Sequence, residues 1–563
     1  MFITFLRSIA VEALTMKGFW DVRCMLLNAE RARKVNDRLL LKILRQNKNC
    51  EYGKKYHFDN IKSTEDFKKN VPVVKYNDIS DYIDRIYYTN EQNLITSKKI
   101  AGFATSSGSV GKPKLIPRTS SEVRIYTKYT VTRFLSLAKK YGKKYGLHLK
   151  PARGVCTLCQ HKERSPHGLI STNVADIAAK RYYSIYPYIL NLPLGHQFSA
   201  DEIDIRYANA RFGLQDRDCC YLFSVFAKNI AELIEYIIDN REMLLNDIEN
   251  GIISESVKMK DSVRRELEKV VKPDPKRAAE LRAEFEKPTD ETFLKRIWPN
   301  LAVISAIGTS VCFEGFSSFV CKYSKGVQFD YSIYGASEGL VAAAYKPNEK
   351  GQLLLPDSCY YEFVEESEEE REITETLSLD ELEVGKNYEI LLTNQSGLYR
   401  YRINDIIRVL GYEGQCPVIN FVYRRGQLLN INGEKTDIEQ MSAAVKMMEQ
   451  ELQIEITEWA VFIDKGKEQY RYGILLETKD GIDLSYYAER FEEHLRNVNT
   501  SYRYYEEVKG LIDPPVIYNQ APGTHQAWRE YKISCGATPE QVKPVKMLDN
   551  EEKMKFFMER IIK

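Results

Sequence analysis

The chain has 563 residues, 44% of them hydrophobic and 28% charged, the balance of a folded protein rather than a disordered one. Because a single hydrophobic core stops growing at about 250–300 residues, two or three units are expected. Lys plus Arg at 81 against Asp plus Glu at 79 leave a formal charge of +2, which gives no electrostatic footprint for a nucleic acid or an anionic membrane and directs attention to a small ligand.

The N-terminal run from Met1 to Leu14 is apolar but interrupted by Arg7 and Glu12. No charged region precedes it, and no uninterrupted stretch approaches the ~20 residues of a membrane span, so the pattern predicts an amphipathic first helix packed on the body. Helical patterning continues through the first hundred residues and breaks near Pro72. Ala104 to Pro117 then places three serines, two glycines and two lysines in one loop. Glycine lets backbone N–H groups approach an anion, hydroxyls donate further hydrogen bonds, and lysines supply charge. The spacing is neither that of a P-loop nor that of a dinucleotide fold. On composition alone the loop could cradle phosphate or simply face solvent.

Glu122 to about Lys144 suits one long helix, with Val123, Tyr126, Thr130 and Phe134 near helical spacing. Cys156 and Cys159, with His161 and His167 close behind, raise metal or redox chemistry. The strand-like texture around Cys156 and the lack of a second ligand pair favour buried strand cysteines instead. Cys219 and Cys220 read as core. Eleven scattered cysteines form no disulfide framework, which fits a reducing cytoplasm. A helix is expected over roughly Ile230 to Asn250, and exposed helices over Lys258 to Lys295 with a break at Pro273 and Pro275.

From Leu301 the texture changes to short apolar runs, Leu301 to Ile307, Val327 to Ile333 and Glu389 to Thr393, which read as strands. The acidic run Glu365 to Glu372 reads as a solvent-facing turn. Tyr331 to Gly339 ends an apolar strand in small residues followed by Glu338, a carboxylate able to hold a hard cation. Ser396 to Asp405 ends in an Asp whose two oxygens can accept from a ribose diol. Beyond Arg424 the order is that of a small α+β unit: helix Thr436 to Leu452, strands Trp459 to Ile463 and Tyr472 to Glu477, helix Leu484 to Val498. A boundary is placed at Arg424-Arg425-Gly426, giving domains 1–424 and 425–563.

Taken together, the three segments resemble the adenylate-forming enzymes, the superfamily of acyl-CoA synthetases, peptide-synthetase adenylation domains and luciferases. Within it the chain looks most like the Gretchen Hagen acyl-acid amido synthetases, auxin-responsive proteins of plants, and like a bacterial-type member of them. The family's serine-rich loop is similar to Ser106-Ser107-Gly108-Ser109-Val110-Gly111, its Tyr-x-x-Ser-Glu to Tyr334 through Glu338, and its Leu-Tyr-Arg-Tyr-Arg-x-x-Asp to Leu398 through Asp405. Ile297 to Asn300, Leu382 to Glu389 and Leu428 to Asp437 add to the likeness, which covers most of the chain beyond residue 100.

The resemblance implies an α/β fold: a large N-terminal adenylate-forming domain with mixed sheets and packed helices, and a small α+β C-terminal lid. It implies ATP-dependent activation of a small carboxylic acid as acyl-AMP, with Mg²⁺, followed by transfer to an amine, most often an amino acid's. Carried over residue by residue, Ser106, Ser107, Gly108 and Ser109 hold phosphates. Tyr334, Gly335, Ala336 and Ser337 meet adenine and the α-phosphate, Glu338 holds Mg²⁺ and acts in catalysis, and Asp405 fixes the ribose. Arg424 joins the nucleotide-binding set, Arg133 is the acyl-substrate contact with a surface salt bridge as its alternative, and Lys435 and Lys543 are the lid's catalytic cations. Lys112 and Lys114 become secondary. No nucleic acid or membrane partner is expected, and a cytoplasmic monomer is favoured.

Departures from the family pattern are Val110 in the serine loop, a loop shorter by one residue, Val542 for an aromatic, and Lys543-Pro544-Val545-Lys546 at the close. Two rivals remain open: a thioester-forming ligase with coenzyme A as acceptor, and a catalytically inactive nucleotide-binding protein.

Overall fold

The computed structural model describes residues 2–105, 114–142, 154–156, 164–172, 177, 185–193, 202–309, 311–366, 373, 375–424, 429, 431–432, 434, 436, 438–508, 510–535 and 545–562. These fall into two compact units, the first ending at residue 424 and the second running from 429.

The first unit opens with helices Phe2–Ala29, Ala32–Asn47, Glu51–Lys55, Thr64–Asn70 and Tyr76–Thr89. The first of them buries Val11, Thr15, Asp21, Met25 and Ala29 at helical spacing and so packs on the body as expected, but Ile9, Met16, Trp20, Leu26 and Leu27 stand exposed, so the expected amphipathic division is not found. Gly18 lets it lie directly against backbone, because a Cβ there would sit 1.9 Å from the Thr132 carbonyl oxygen. Helix Thr64–Asn70 starts on a capping box between Ser63 and Asp66 and ends ahead of Pro72, which has no N–H to continue it. Asn36 anchors this helical layer, donating to the carbonyls of Pro356 and Cys359 and accepting from the Tyr361 N–H.

Three sheets follow. Strands β1 (Ile100–Thr105) and β2 (Leu115–Thr119) pair antiparallel with Phe103 opposite Pro117. After β3 (Gly154–Cys156), β4 (Ile170–Thr172) joins β1 in parallel. Together with β5 (Tyr221–Phe226), β6 (Val303–Ile307) and β7 (Gln328–Asp330), β3 forms a wholly parallel sheet in the order β3-β5-β6-β7. Its crossovers include helices Ala227–Asp239 and Val311–Lys322, which pack on each other. The third sheet comprises β8 (Ile333–Gly335), β9 (Leu340–Ala344), β10 (Gln352–Leu354), β11 (Tyr360–Glu365), β12 (Asn387–Thr393), β13 (Tyr401–Glu413) and β14 (Cys416–Arg424), in the order β11-β12-β13-β14-β10-β9-β8. The principal core lies between this sheet and the N-terminal helices, with Leu40, Phe67, Leu353, Tyr361, Ile390 and Tyr399 among its members.

Several sequence readings change in detail. Val327 to Ile333 is not one strand but the whole of β7 and the start of β8, which belong to different sheets. The chain turns between them at Ser332, φ +51°, while the Asp330 side chain is held from outside the strand. The expected helix Ile230 to Asn250 is two, Ala227–Asp239 and Arg241–Asn250, joined at Asn240. The helix expected from Glu122 contains a π-turn at Lys128–Thr132, flanked by α-helical Ser120–Thr127 and Arg133–Tyr141. Thr130 and Thr132 return their hydroxyls to the carbonyls of Tyr126 and Lys128 there, and such back-bonding loosens a regular ladder. The acidic run lies largely outside the described residues, and Cys156, buried in β3, is the only described member of its Cys-x-x-Cys pair.

The second unit carries β15 (Ile456–Lys465), β16 (Tyr470–Thr478) and β17 (Val516–Gln520), with β16 central, antiparallel to β15 and parallel to β17. Helices Ile438–Leu452 and Ala488–Val498 pack together, and Phe462, Leu475, Trp528 and Phe557 build a separate core. A large α/β unit followed by a small α+β unit is the architecture the sequence predicts.

Candidate active site

The second and third motifs meet in the first unit. Tyr334 stands on β8 and Asp405 on β13, and the Tyr334 hydroxyl donates to Asp405 Oδ2 at 2.6 Å. The Tyr334 ring rests against Phe421 of β14, centroids 5.5 Å apart. Gly335, the last residue of β8, is exposed and Ala336 and Ser337 are half-buried, so the small residues at the end of β8 leave the backbone open. A tight turn closed by Ala336 and Gly339 then carries Glu338 inward. Glu338 is 3% exposed, and its Oε2 has no hydrogen-bond partner among the described residues. A buried carboxylate oxygen without a donor is costly unless something else satisfies it, and a hard cation is one such group.

The Leu398-to-Asp405 run supplies a frame for Asp405. Tyr399, fully buried, donates to the Ile95 carbonyl at 2.8 Å. Arg400, at φ +46°, is forked onto Glu362 and also donates to the carbonyls of Lys68 and Val71. Arg402 pairs with Glu389 on the adjacent strand β12. Arg400 thus has a carboxylate and two carbonyls as internal acceptors and Arg402 a carboxylate, which holds the backbone leading to Asp405. Asp405 stands opposite Arg424 in the β13–β14 register.

Ahead of this run, the turn at Asn394–Ser396 is a junction. Asn394 accepts from the backbone of Ser396 and Leu398 and donates to the Glu338 carbonyl at 2.7 Å. The Ser396 hydroxyl accepts from the Thr119 N–H at the end of β2 and donates to the Glu122 carboxylate. Burial pushes the Glu122 carboxyl above its ordinary value, against the pull of Arg118. Asn394 and Thr119 were not singled out in the sequence, while Ser396 and Glu122 entered only as the first residues of a motif and of a helix. Asn394 carried a usable signal, since an Asn two residues before a Ser-Gly is a common turn-former.

Arg133 is placed differently from the expectation. It is 2% exposed, forked onto Asp330 at 2.9 and 2.7 Å, and donates also to the carbonyls of Ala344, Ser332 and Tyr129. Its guanidinium is engaged by internal acceptors, so it is neither a surface salt bridge nor a free anchor for a carboxylate. Instead it clamps the turn from which β8 and Tyr334 depart. Asp330 also accepts from the Ser305 hydroxyl, completing a buried site that the sequence did not reveal.

Ser106, Ser107, Gly108, Ser109, Lys435 and Lys543 lie outside the described residues, as does the Arg424 side chain. The first four fall in the chain joining β1 to β2, so the hairpin places the ends of that loop. In the second unit, Glu434 precedes Lys435 and is fully buried. It accepts from Thr436 and Tyr472, and from Asn499 at 3.0 Å. Burial raises its carboxyl to about 7 despite these donors.

Comparison with known proteins identifies the family. The GH3 family N-terminal domain matches residues 24–329, the central domain residues 352–424 and the C-terminal domain residues 439–552. An indole-3-acetic acid-amido synthetase GH3.8 of Oryza sativa subsp. indica is 30% identical over 535 residues, covering 90% of this chain and 87% of its own. Indole-3-acetic acid-amido synthetase GH3.2 of Arabidopsis thaliana is 28% identical over 499 residues, covering 84% and 87%. Among solved structures, the AtGH3.15 acyl acid amido synthetase in complex with 2,4-DB superposes with a TM-score of 0.64 at 24% identity over 96% of each chain. All three family domains are found in order along one chain whose fold is shared, and the chain belongs to the GH3 family.

Proposed function

We propose that this chain is an ATP-dependent acyl-acid amido synthetase, which activates a small carboxylic acid as acyl-AMP and transfers the acyl group to an amine, the amino group of an amino acid being the favoured acceptor. The acid's carboxylate oxygen bonds to the α-phosphorus of ATP and the bond to pyrophosphate breaks. The amine nitrogen then attacks the acyl carbon, loses a proton, and AMP leaves. A free carboxylate resists amines because its carbon is electron-rich and its leaving group poor, and AMP removes both obstacles.

The observation that carries this reading is the direct bond between Tyr334 and Asp405, which joins two family motifs 71 residues apart into one buried site. In that site Asp405 would accept from the ribose hydroxyls, and the open backbone of Gly335–Ser337 would receive the adenine and α-phosphate. The unpartnered Oε2 of Glu338 suits Mg²⁺, which when bound would offset phosphate charge. Ser106, Ser107 and Ser109 would hold the phosphates, with Gly108 allowing close approach. Arg424, beside Asp405 in register, would meet the nucleotide, and Lys435 and Lys543 would bring positive charge to the α-phosphate. The domains 1–424 and 425–563 would then divide ATP binding from the lid's two lysines. A monomeric, cytoplasmic enzyme is part of the same proposal. Among the described residues no helix is long and apolar enough to cross a membrane.

The test is acid-dependent exchange of labelled pyrophosphate into ATP across a panel of aromatic and aliphatic acids, followed by mass analysis of products formed with amino acids or coenzyme A. Exchange with an amide product is expected. No exchange with any acid would overturn acid activation, and a thioester product would reassign the acceptor.

A further inference from the structure

Resting on that reading, we infer that Asn394 and Ser396 are positioning residues for adenylation, tying the Glu338 turn, the β1–β2 hairpin and the strand bearing Asp405 to one short turn. Both side chains are fully buried. A turn needs only the two backbone N–H groups that Asn394 Oδ1 accepts, at 2.9 and 3.1 Å, and the left-handed Gly397 at φ +104°. The remaining bonds leave the turn. Asn394 Nδ2 reaches the carbonyl of Glu338 itself, 56 residues away. Ser396 Oγ receives the Thr119 N–H at 2.8 Å, 277 residues away, and passes its own proton toward Glu122 on the helix that follows β2.

These ties have different ends and therefore different consequences. The Asn394 bond fixes the backbone of the residue whose carboxylate has an unpartnered oxygen, so it holds the point from which that side chain departs. The Ser396 bonds fix the far end of β2, whose near end continues into the loop holding Ser106 to Ser109. Both ties converge on the segment that leads, through Tyr399 and Arg400, to Asp405. The Glu338 turn, the end of β2 and the strand bearing Asp405 thus share one pinned reference point, and preorganisation of that kind strengthens ligand contacts without making any.

Two substitutions cut the ties separately. Asn394→Asp keeps the Oδ1 acceptor and replaces the donor to Glu338 with an oxygen. Ser396→Ala keeps the turn and removes the link to β2. ATP binding is measured by calorimetry with and without Mg²⁺ on both variants and the wild-type chain, beside pyrophosphate exchange. Asn394→Asp is expected to raise the Mg²⁺ concentration for half-maximal ATP binding about tenfold while leaving Mg²⁺-free ATP binding unchanged. Ser396→Ala is expected to weaken ATP binding about tenfold with its Mg²⁺ dependence unchanged. A merely structural role would lower the folded fraction and leave the affinities of the folded protein as they were, and that result overturns the inference. Should Asn394→Asp fail to fold, Ser396→Ala decides alone. A wild-type chain that binds MgATP yet exchanges pyrophosphate with no acid sinks the acid-activation reading, while the binding comparison still decides the positioning role.

Discussion

The Tyr334 hydroxyl donates to Asp405 Oδ2 at 2.6 Å, and both side chains are buried. A phenol held against a carboxylate fixes the plane of that carboxylate, so a diol arriving at Asp405 meets an acceptor already oriented. Tyr334→Phe removes the donor and keeps the ring against Phe421. It should weaken ATP binding by roughly tenfold, the scale of one bond to a charged acceptor, with little change in fold. Asp405→Ala should abolish exchange while the protein stays folded by circular dichroism. An Asp405→Ala variant with the wild-type KM for ATP would remove Asp405 from the ribose.

Glu338 offers a second, separable test. Glu338→Gln keeps the shape of the side chain and removes its charge, so it addresses cation holding rather than packing. Exchange is expected to fall by about a hundredfold at low Mg²⁺, on the scale of losing one charge-stabilising group, and to recover in part as Mg²⁺ is raised. Loss of exchange that no Mg²⁺ concentration alters would show that the carboxylate acts otherwise.

Much of the site was legible because its motifs are local. Tyr334 to Glu338 and Leu398 to Asp405 are each contiguous, and small residues next to a carboxylate or a strand ending in Asp carry their chemistry in the text itself. What was not legible lies across long separations. Nothing near Arg133 in sequence announces Asp330, and nothing near Ser396 announces Thr119. Those pairings exist only once the parallel sheet, the hairpin and the seven-stranded sheet are assembled. Misread elements have local causes too: β7 and β8 form one apolar run, and only the side-chain clamp on Asp330 and the positive φ of Ser332 divide them.

Arg133 and Asp330 form a buried pair, so removing one partner strands the other. Arg133→Met should destabilise the first unit by about 3–5 kcal/mol, read as a lowered urea midpoint. Arg133→Met with Asp330→Asn should be less damaging than the single change, because no buried charge remains unpaired. Were Arg133→Met to leave stability intact and raise the KM of the acid alone, the acyl-contact role would return in place of the clamp.

The second unit carries a pH signature through Glu434. Its carboxyl, ordinarily near 4.5, is raised to about 7 by burial, so the folded state holds the proton more tightly than the unfolded one. The sign follows: this contribution is fully present below pH 4.5 and is lost as pH rises through 7. A shift of that size corresponds to on the order of 3 kcal/mol between the two ends. Glu492, also raised by burial, tilts the same way, while burial lowers His525 and makes its contribution fail on acidification instead. The clean measurement is therefore a difference: urea midpoints of the wild-type chain and of Glu434→Gln from pH 5 to 8.5. The wild-type chain should lose stability relative to the variant across this window, most steeply up to about pH 7. Parallel curves would mean that Glu434 titrates alike in both states and that Tyr472, Thr436 and Asn499 fully offset its burial.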